Sequence, residues 1–309
     1  MKKWIIAIVI LTIAVATTNA WGAVYFKGEE IPTVFIEDTN YVYKDNFVKF
    51  DYTGDREFVP LREIANDLHL YIKDGNVYIT EKPVIGRTIL TTTSQGSVIE
   101  AVYFEPENYS KTIVSVFALH GYEDWYDRDG QILVDTANSI IDEFTNNSEL
   151  IGDTRHIIVP CGNPDGLYKG HSQNGYGRCN ADGIDLNRDF DYNWGKIDKA
   201  RWKTGEAPFS AIESRALRDL ILREQPDIVY DFHGWLDCVY TKNMDGELMR
   251  SSLGLGKPKQ ALPGYKESQG YLYAWAGQYA KSALIEFRQG KTVEQYKNDA
   301  LKILISKEV

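Results

Sequence analysis

The chain has 309 residues, 43% of them hydrophobic and 13% aromatic, enough for one large core or a medium core beside a small module. Charged residues at 25% exclude wholesale disorder, and a formal net charge of -10 repels phosphate backbones, which excludes nucleic acid as a partner class. The cysteines Cys161, Cys179 and Cys238 show no CxxC spacing, so they form neither a disulfide framework nor a cysteine zinc site; they read as buried thiols, with one bridge left open.

The first residues have the pattern of an export signal. Lys2 and Lys3 make a positive n-region, Trp4 to Ala16 is an apolar run too short for a comfortable membrane span, and Thr18-Asn19-Ala20 fits a small-x-small cleavage site. Residues 1–20 are expected to be a signal peptide and the protein to be secreted or at the cell surface; an uncleaved anchor is the alternative. Between 24 and 82, Val34-Phe35-Ile36, Phe47-Val48-Lys49-Phe50 and Val77-Tyr78-Ile79 are predicted strands, and Asp74-Gly75-Asn76 is a hairpin turn signal. Pro60 to Leu68 reads as a short helix with proline near its start. The runs Phe58 to Ala65 and Tyr71 to Ile79 resemble the copper amine oxidase N-terminal-like, or stalk, module. That resemblance implies a small α+β accessory domain, with attachment to cell-wall material as one task and no copper; a pro-segment is the alternative.

From 86 to 309 the pattern changes. Ile113 to Leu119, Ile157 to Pro160, Ile228 to Phe232 and Ser282 to Phe287 are nearly continuous apolar runs, as in strands buried on both faces. Helical spacing covers Gln131 to Phe144, Ser210 to Arg223, Ala274 to Ala280 and Glu294 to Ile305, and Ser210 with Glu213 fits a capping box. Strands alternating with helices predict an α/β layer fold, in which sites gather at the carboxyl ends of strands.

Two histidines stand at such ends. His120 closes the run from Ile113, His233 closes the run from Ile228, and Glu123 follows His120 by three positions. Two histidines and a carboxylate, two of them close in sequence and the third distant, are a usual catalytic zinc set with the fourth position open. Further blocks follow in order: Asn163-Pro164-Asp165-Gly166, Arg178 to Phe190, Pro208 to Leu217, Asp231-Phe232-His233-Gly234 and Ala283 to Phe287. Together, over roughly residues 110 to 290, these blocks resemble the zinc carboxypeptidase family, peptidase M14. The resemblance implies an α/β/α sandwich with a central mixed sheet of about eight strands, one zinc ion (Zn2+), and a peptide substrate with a free C-terminal carboxylate. Residue by residue it implies His120, Glu123 and His233 as metal ligands, Glu286 as the catalytic carboxylate and Arg178 at the oxyanion. It likewise implies Asn187 and Arg188 on the terminal carboxylate, Asp185 behind the first histidine, and a mobile substrate tyrosine, matched best by Tyr265 with Tyr271 and Tyr273 as the competing positions.

The chemistry needs these residue types. Zinc polarises a carbonyl and lowers the pKa of a coordinated water from about 16 toward ~7. A nearby carboxylate can take the proton and return it to the leaving amine. A guanidinium is a planar fork matched to a carboxylate. The stretch between His233 and Glu286, which would build the specificity pocket, holds Trp235, Tyr240, Lys242, Tyr265, Tyr271, Tyr273 and Trp275. The expected function is a secreted, monomeric metallocarboxypeptidase. The alternatives are a peptidase for cell-wall peptides, a deacylase of the aspartoacylase type, and a non-catalytic surface-binding protein.

Overall fold

In the computed structural model, residues 85–256 and 269–306 are described in full, and between 24 and 84 the description covers strand backbone alone. The chain divides into two compact units, 1–86 with 104–108, and 87–103 with 109–309.

In the first unit, β1 (Val24–Phe26), β2 (Glu29–Ile31), β6 (Leu70–Lys73) and β7 (Asn76–Ile79) form a sheet in the order β2-β1-β7-β6. β3 (Thr39–Lys44), β4 (Phe47–Tyr52) and β5 (Asp55–Pro60) form an antiparallel meander. Lys73 is paired with Asn76, the register expected of the turn signal at 74–76. The expected strand at Val34 to Ile36, the helix after Pro60 and the export signal lie outside the described residues.

The second unit is built on a six-stranded sheet in the order β14-β13-β10-β11-β9-β8. Its strands are β8 (Val84–Thr92), β9 (Val98–Glu105), β10 (Lys111–Phe117), β11 (Thr154–Val159), β13 (Ile228–Lys242) and β14 (Lys281–Arg288). β10 pairs in parallel with β11 and with β13, and the first half of β13 pairs in parallel with β14. β13 is longer than its sequence predicts. It pairs with β14 in parallel from Ile228 to Trp235, reverses, and pairs again from Cys238, opposite Glu286, back to Lys242, opposite Ser282. The family resemblance implied about eight strands; the doubling back of β13 supplies one of the missing positions within a single element.

Helices cover both faces, which is why the strands are apolar on both sides. Val114, Val116, Ile157, Val159 and Val229 pack on Leu217, Leu220 and Ile221 of α3 (Ile212–Glu224) and on Leu272 and Trp275 of α5 (Leu272–Ala276). On the other face, Phe144 of α1 (Gly130–Asn146) lies 4.7 Å from the ring of His156, and Tyr296 of α6 (Val293–Leu304) lies 5.0 Å from Phe287. The remaining helices are α2 (Pro164–Lys169) and α4 (Gly246–Leu253).

The capping box expected of Ser210 and Glu213 does not form. Ser210 Oγ turns back to donate to the Ala207 carbonyl, and Glu213 is buried, accepting from Asn180 Nδ2 at 3.0 Å. Buried Asp189 caps α3 instead, accepting from the backbone N–H of Ser210 at 3.2 Å and of Ala211 at 2.9 Å and from Ser214 Oγ at 2.5 Å. A charged acceptor at a helix N-terminus is stronger than a local hydroxyl. α5 also begins earlier than predicted and stops at Gly277.

Two stability outcomes follow. Asp189→Ala leaves buried donors unpaired and is expected to cost about 2 kcal/mol, read as a lower urea midpoint at unchanged slope. Burial pushes the pKa of His156 down to about 3, helped by Lys111, and neither ring nitrogen has a hydrogen-bond partner among the described residues. Below about pH 6.5 the unfolded chain protonates this group and the folded chain does not. Stability is therefore complete above that pH and is lost progressively as pH falls toward 3. His156→Phe is expected to flatten that slope in urea titrations across the window, and an unchanged slope would contradict neutral burial.

Candidate metal centre

The site forms where β10, β13 and β14 deliver side chains to one end of the sheet. His120 and Glu123 lie in the loop after β10, and two glycines shape that loop. A Cβ on Gly121 would stand 2.2 Å from the backbone nitrogen of Leu167, so the Asn163-Pro164-Asp165-Gly166 block is the surface against which the loop closes. Gly177, at φ 137, accepts from the N–H of both Gly121 and Tyr122 through its carbonyl. Asp129 ties down the other end, accepting from the N–H of Glu123 at 2.5 Å and of Trp125 at 2.8 Å and from Trp235 Nε1 at 2.7 Å.

His120, Glu123 and His233 are all buried, and one potential ligand atom from each lies within 4.8 Å of the others. Nδ1 of His120 is 3.0 Å from Glu123 Oε2, and Nδ1 of His233 is 2.9 Å from Glu123 Oε1. The opposite nitrogens are backed by carboxylates: His120 Nε2 by Asp185 Oδ1 at 2.8 Å, and His233 Nε2 by Asp231 Oδ1 at 2.8 Å. A carboxylate only accepts, so each Nε2 carries a proton, and each Nδ1, which faces the Glu123 carboxylate, needs a proton or a cation between them. Against the desolvation that burial imposes, Asp231 and Glu123 hold the His233 pKa well above its ordinary value. Desolvation likewise works to raise the Glu123 carboxyl, but His120 and His233 hold it far below the usual range.

A metal ion fits this donor set. Four buried or half-buried carboxylates, Glu123, Asp185, Asp231 and Glu286, surround the two imidazoles, with the guanidinium of Arg178 beside Glu123 and Asp185, so the cluster favours added positive charge. A divalent cation held by His120, Glu123 and His233 would replace the protons otherwise required at the two Nδ1 atoms.

The flanking residues are placed as follows. Glu286 on β14 is in register with His233, and its buried Oε2 has no hydrogen-bond partner among the described residues. Burial raises its pKa to about 7, against the lowering influence of His233. Arg178, at the end of β12 (Ser172–Cys179), is buried with Nη1 3.7 Å from Glu123 Oε2 and Nε 3.5 Å from Asp185 Oδ2. Neither nitrogen makes a hydrogen bond among the described residues, so donors remain for a ligand.

A family model described as zinc carboxypeptidase, peptidase M14, matches residues 79–300. The chain belongs to the zinc carboxypeptidase family. It is 35% identical over 198 residues to bacteriocin BCN5 of Clostridium perfringens, covering 60% of this chain and 21% of that protein. It is 40% identical over 98 residues to murein peptide amidase A of Escherichia coli strain K12, covering 28% of this chain and 38% of the amidase. The chain thus spans less than two fifths of the length of either relative. Among solved structures, carboxypeptidase A from Helicoverpa armigera superposes with a TM-score of 0.58 at 20% identity, covering 72% of this chain and 67% of that one. Murein-tripeptide amidase from Escherichia coli O157 gives 0.53 at 23% identity, covering 71% and 90%. These likenesses show the carboxypeptidase fold, an α/β sandwich with a mixed sheet.

Two residues implied by the family resemblance sit differently from a free substrate clamp. The Asn187 amide is engaged: its Nδ2 lies 3.0 Å from His233 Nε2 and 3.3 Å from Asp231 Oδ2, and its Oδ1 accepts from the Leu272 N–H at 2.8 Å. Arg188 is half-buried, donates to the Asn187 carbonyl at 2.7 Å and stacks 4.3 Å over the Tyr271 ring. Tyr265 lies outside the described residues. Sequence reasoning overlooked Asp231 and Asp129. Asp231 had a signal, since a spacing of two places it on the strand face of His233; Asp129 had none.

Removing either carboxylate behind a histidine tests this arrangement. Asp185→Asn and Asp231→Asn are each expected to weaken zinc binding about 10- to 100-fold in competition with a chromophoric chelator. Zinc affinity of the unaltered protein is expected to fall as pH drops, because protons compete for the two Nδ1 atoms.

Proposed function

We propose that this domain is a zinc-dependent peptidase that hydrolyses the bond joining a C-terminal residue to its peptide. One observation carries the reading: His120 and His233, each backed by a carboxylate, converge with Glu123 while Glu286 stands in register beside them. Zinc, when held by His120, Glu123 and His233, supplies Lewis-acid polarisation of the scissile carbonyl and acidifies water. Glu286 takes the proton of the attacking water and passes it to the leaving amine; a carboxyl raised toward 7 by burial suits that exchange near neutral pH. Arg178 donates to the developing oxyanion, a role worth about 3 kcal/mol for a fixed donor. Arg188 anchors the substrate's terminal carboxylate from its place over Tyr271. Asn187 acts by donating to Asp231, which in turn holds His233.

A second reading is a peptidase for cell-wall peptides. It is favoured by the 40% identical stretch shared with murein peptide amidase A and by the engagement of the Asn187 amide, which leaves Arg188 as the main carboxylate anchor. Export by residues 1–20 and surface attachment through a stalk-like module at 24–82 belong to the same proposal and rest on the sequence.

The deciding experiment incubates the protein with a mixed peptide library and with muropeptides, with and without chelator. Single residues lost from free C-termini, and none from amidated ones, are expected for the first reading; cleavage confined to muropeptides establishes the second. Glu286→Gln is expected to lower kcat by about 10²- to 10⁴-fold with zinc still bound. The rate of the unaltered enzyme is expected to fall as pH drops through the Glu286 pKa, at or below about 7 because the dication opposes the effect of burial. Retained activity in Glu286→Gln would remove Glu286 from the mechanism.

A further inference from the structure

We propose that Lys242 reads a second carboxylate, carried by the side chain of the substrate's C-terminal residue, so that acidic terminal residues are preferred. This rests on the peptidase reading above and names its substrate class.

The returning half of β13 places Cys238, Tyr240 and Lys242 at alternate positions, opposite Glu286, Leu284 and Ser282 of β14. Alternate residues share a face, and Glu286 faces the site beside His233, so Lys242 stands on the catalytic face as well. Four residues of strand separate its level from that of Glu286, roughly 13 Å. A lysine stem and a glutamate side chain together bridge that separation.

The wall between the two ends is neutral and aromatic. Tyr271 and Tyr273 lie 6.0 Å apart, Tyr273 and Tyr240 lie 6.2 Å apart, and both Tyr240 and Tyr192 pack on the Tyr273–Leu284 cluster. Arg188 caps one end, over Tyr271. Lys242 caps the other, donating to Tyr192 Oη at 2.6 Å with its ammonium 4.2 Å from that ring's centre. Gly277 makes room for the lysine stem, since a Cβ there would meet Lys242 Cβ at 2.6 Å.

No carboxylate pairs with Lys242 among the described residues. Lys297, by contrast, is held by both Glu143 and Glu294. Among the described residues this half-buried ammonium is held by a phenol alone and is short of a counter-ion. A ligand with one carboxylate for Arg188 and another for Lys242 supplies it.

The test uses the full chain loaded with zinc and peptides identical except for a terminal Glu, Leu or Lys. The unaltered enzyme is expected to favour Glu over Leu in kcat/KM by about tenfold or more, the effect of one charge-assisted contact. Lys242→Met is expected to abolish that ratio, and Lys242→Glu to shift preference toward terminal Lys. Equal rates for Glu and Leu in the unaltered enzyme, or an unchanged ratio in Lys242→Met, would overturn the proposal. Calorimetric binding of the same peptides to Glu286→Gln, with and without Lys242→Met, separates this from the peptidase reading. Glu-selective, Lys242-dependent binding without turnover by the unaltered enzyme would remove the peptidase reading and keep the subsite. Equal binding of all three peptides would remove the subsite whatever the turnover.

Discussion

Both imidazoles at the centre of this protein are gripped between carboxylates, and the rest of the site is arranged around that grip. Asp185 and Asp231 hold the outer nitrogens of His120 and His233 while Glu123 meets both inner ones. Buried carboxylates are costly unless charge is supplied to them. The arrangement is consequently stable only with protons or a cation at its middle, which links folding of the site to metal binding. Buried Arg178 contributes fixed positive charge without spending its Nε and Nη1 donors on hydrogen bonds among the described residues.

The sheet turns this charge cluster into a directional site. Parallel pairing of β13 with β14 brings His233 level with Glu286, and the same strand then folds back along the far side of β14. One segment therefore contributes a metal ligand going out and the Tyr240–Lys242 wall coming back. The opposite face of the sheet is closed by α1 and α6. Loop closure is equally constrained: Gly121 admits no side chain where it meets Leu167, so His120 and Glu123 have one way to lie.

The family relation and the site geometry bear on different questions. Membership of the zinc carboxypeptidase family fits the ligand set and the fold. The relatives include both a carboxypeptidase A and a murein-tripeptide amidase at similar structural distance, so the fold does not choose between ordinary peptides and wall peptides. On the proposed reading that choice falls to side chains near Arg188, Tyr271 and Lys242, where cations stand over tyrosine rings.

Much of this was legible in the residues. Buried strands read as continuous apolar runs because both faces are covered, and β10, β11 and β14 lie where those runs predict. His120, Glu123, His233 and Glu286 stood out because chemistry-bearing residues at the ends of such runs are brought to one sheet edge. Other features were beyond sequence pattern. The Ser210–Glu213 capping signal is local and gave way to Asp189, distant in sequence but charged and better aimed. The reversal within β13 has no periodic signature, and neither has the use of Asp129 or of the Asn187 amide. By itself, then, the sequence determined which elements form and which side chains could bind metal, because hydrophobic period and residue chemistry are local properties. Only the tertiary structure decided which carboxylate backs which histidine, what Asn187 holds, and that Lys242 has no acidic partner among the described residues, because those facts depend on atoms brought together from distant parts of the chain.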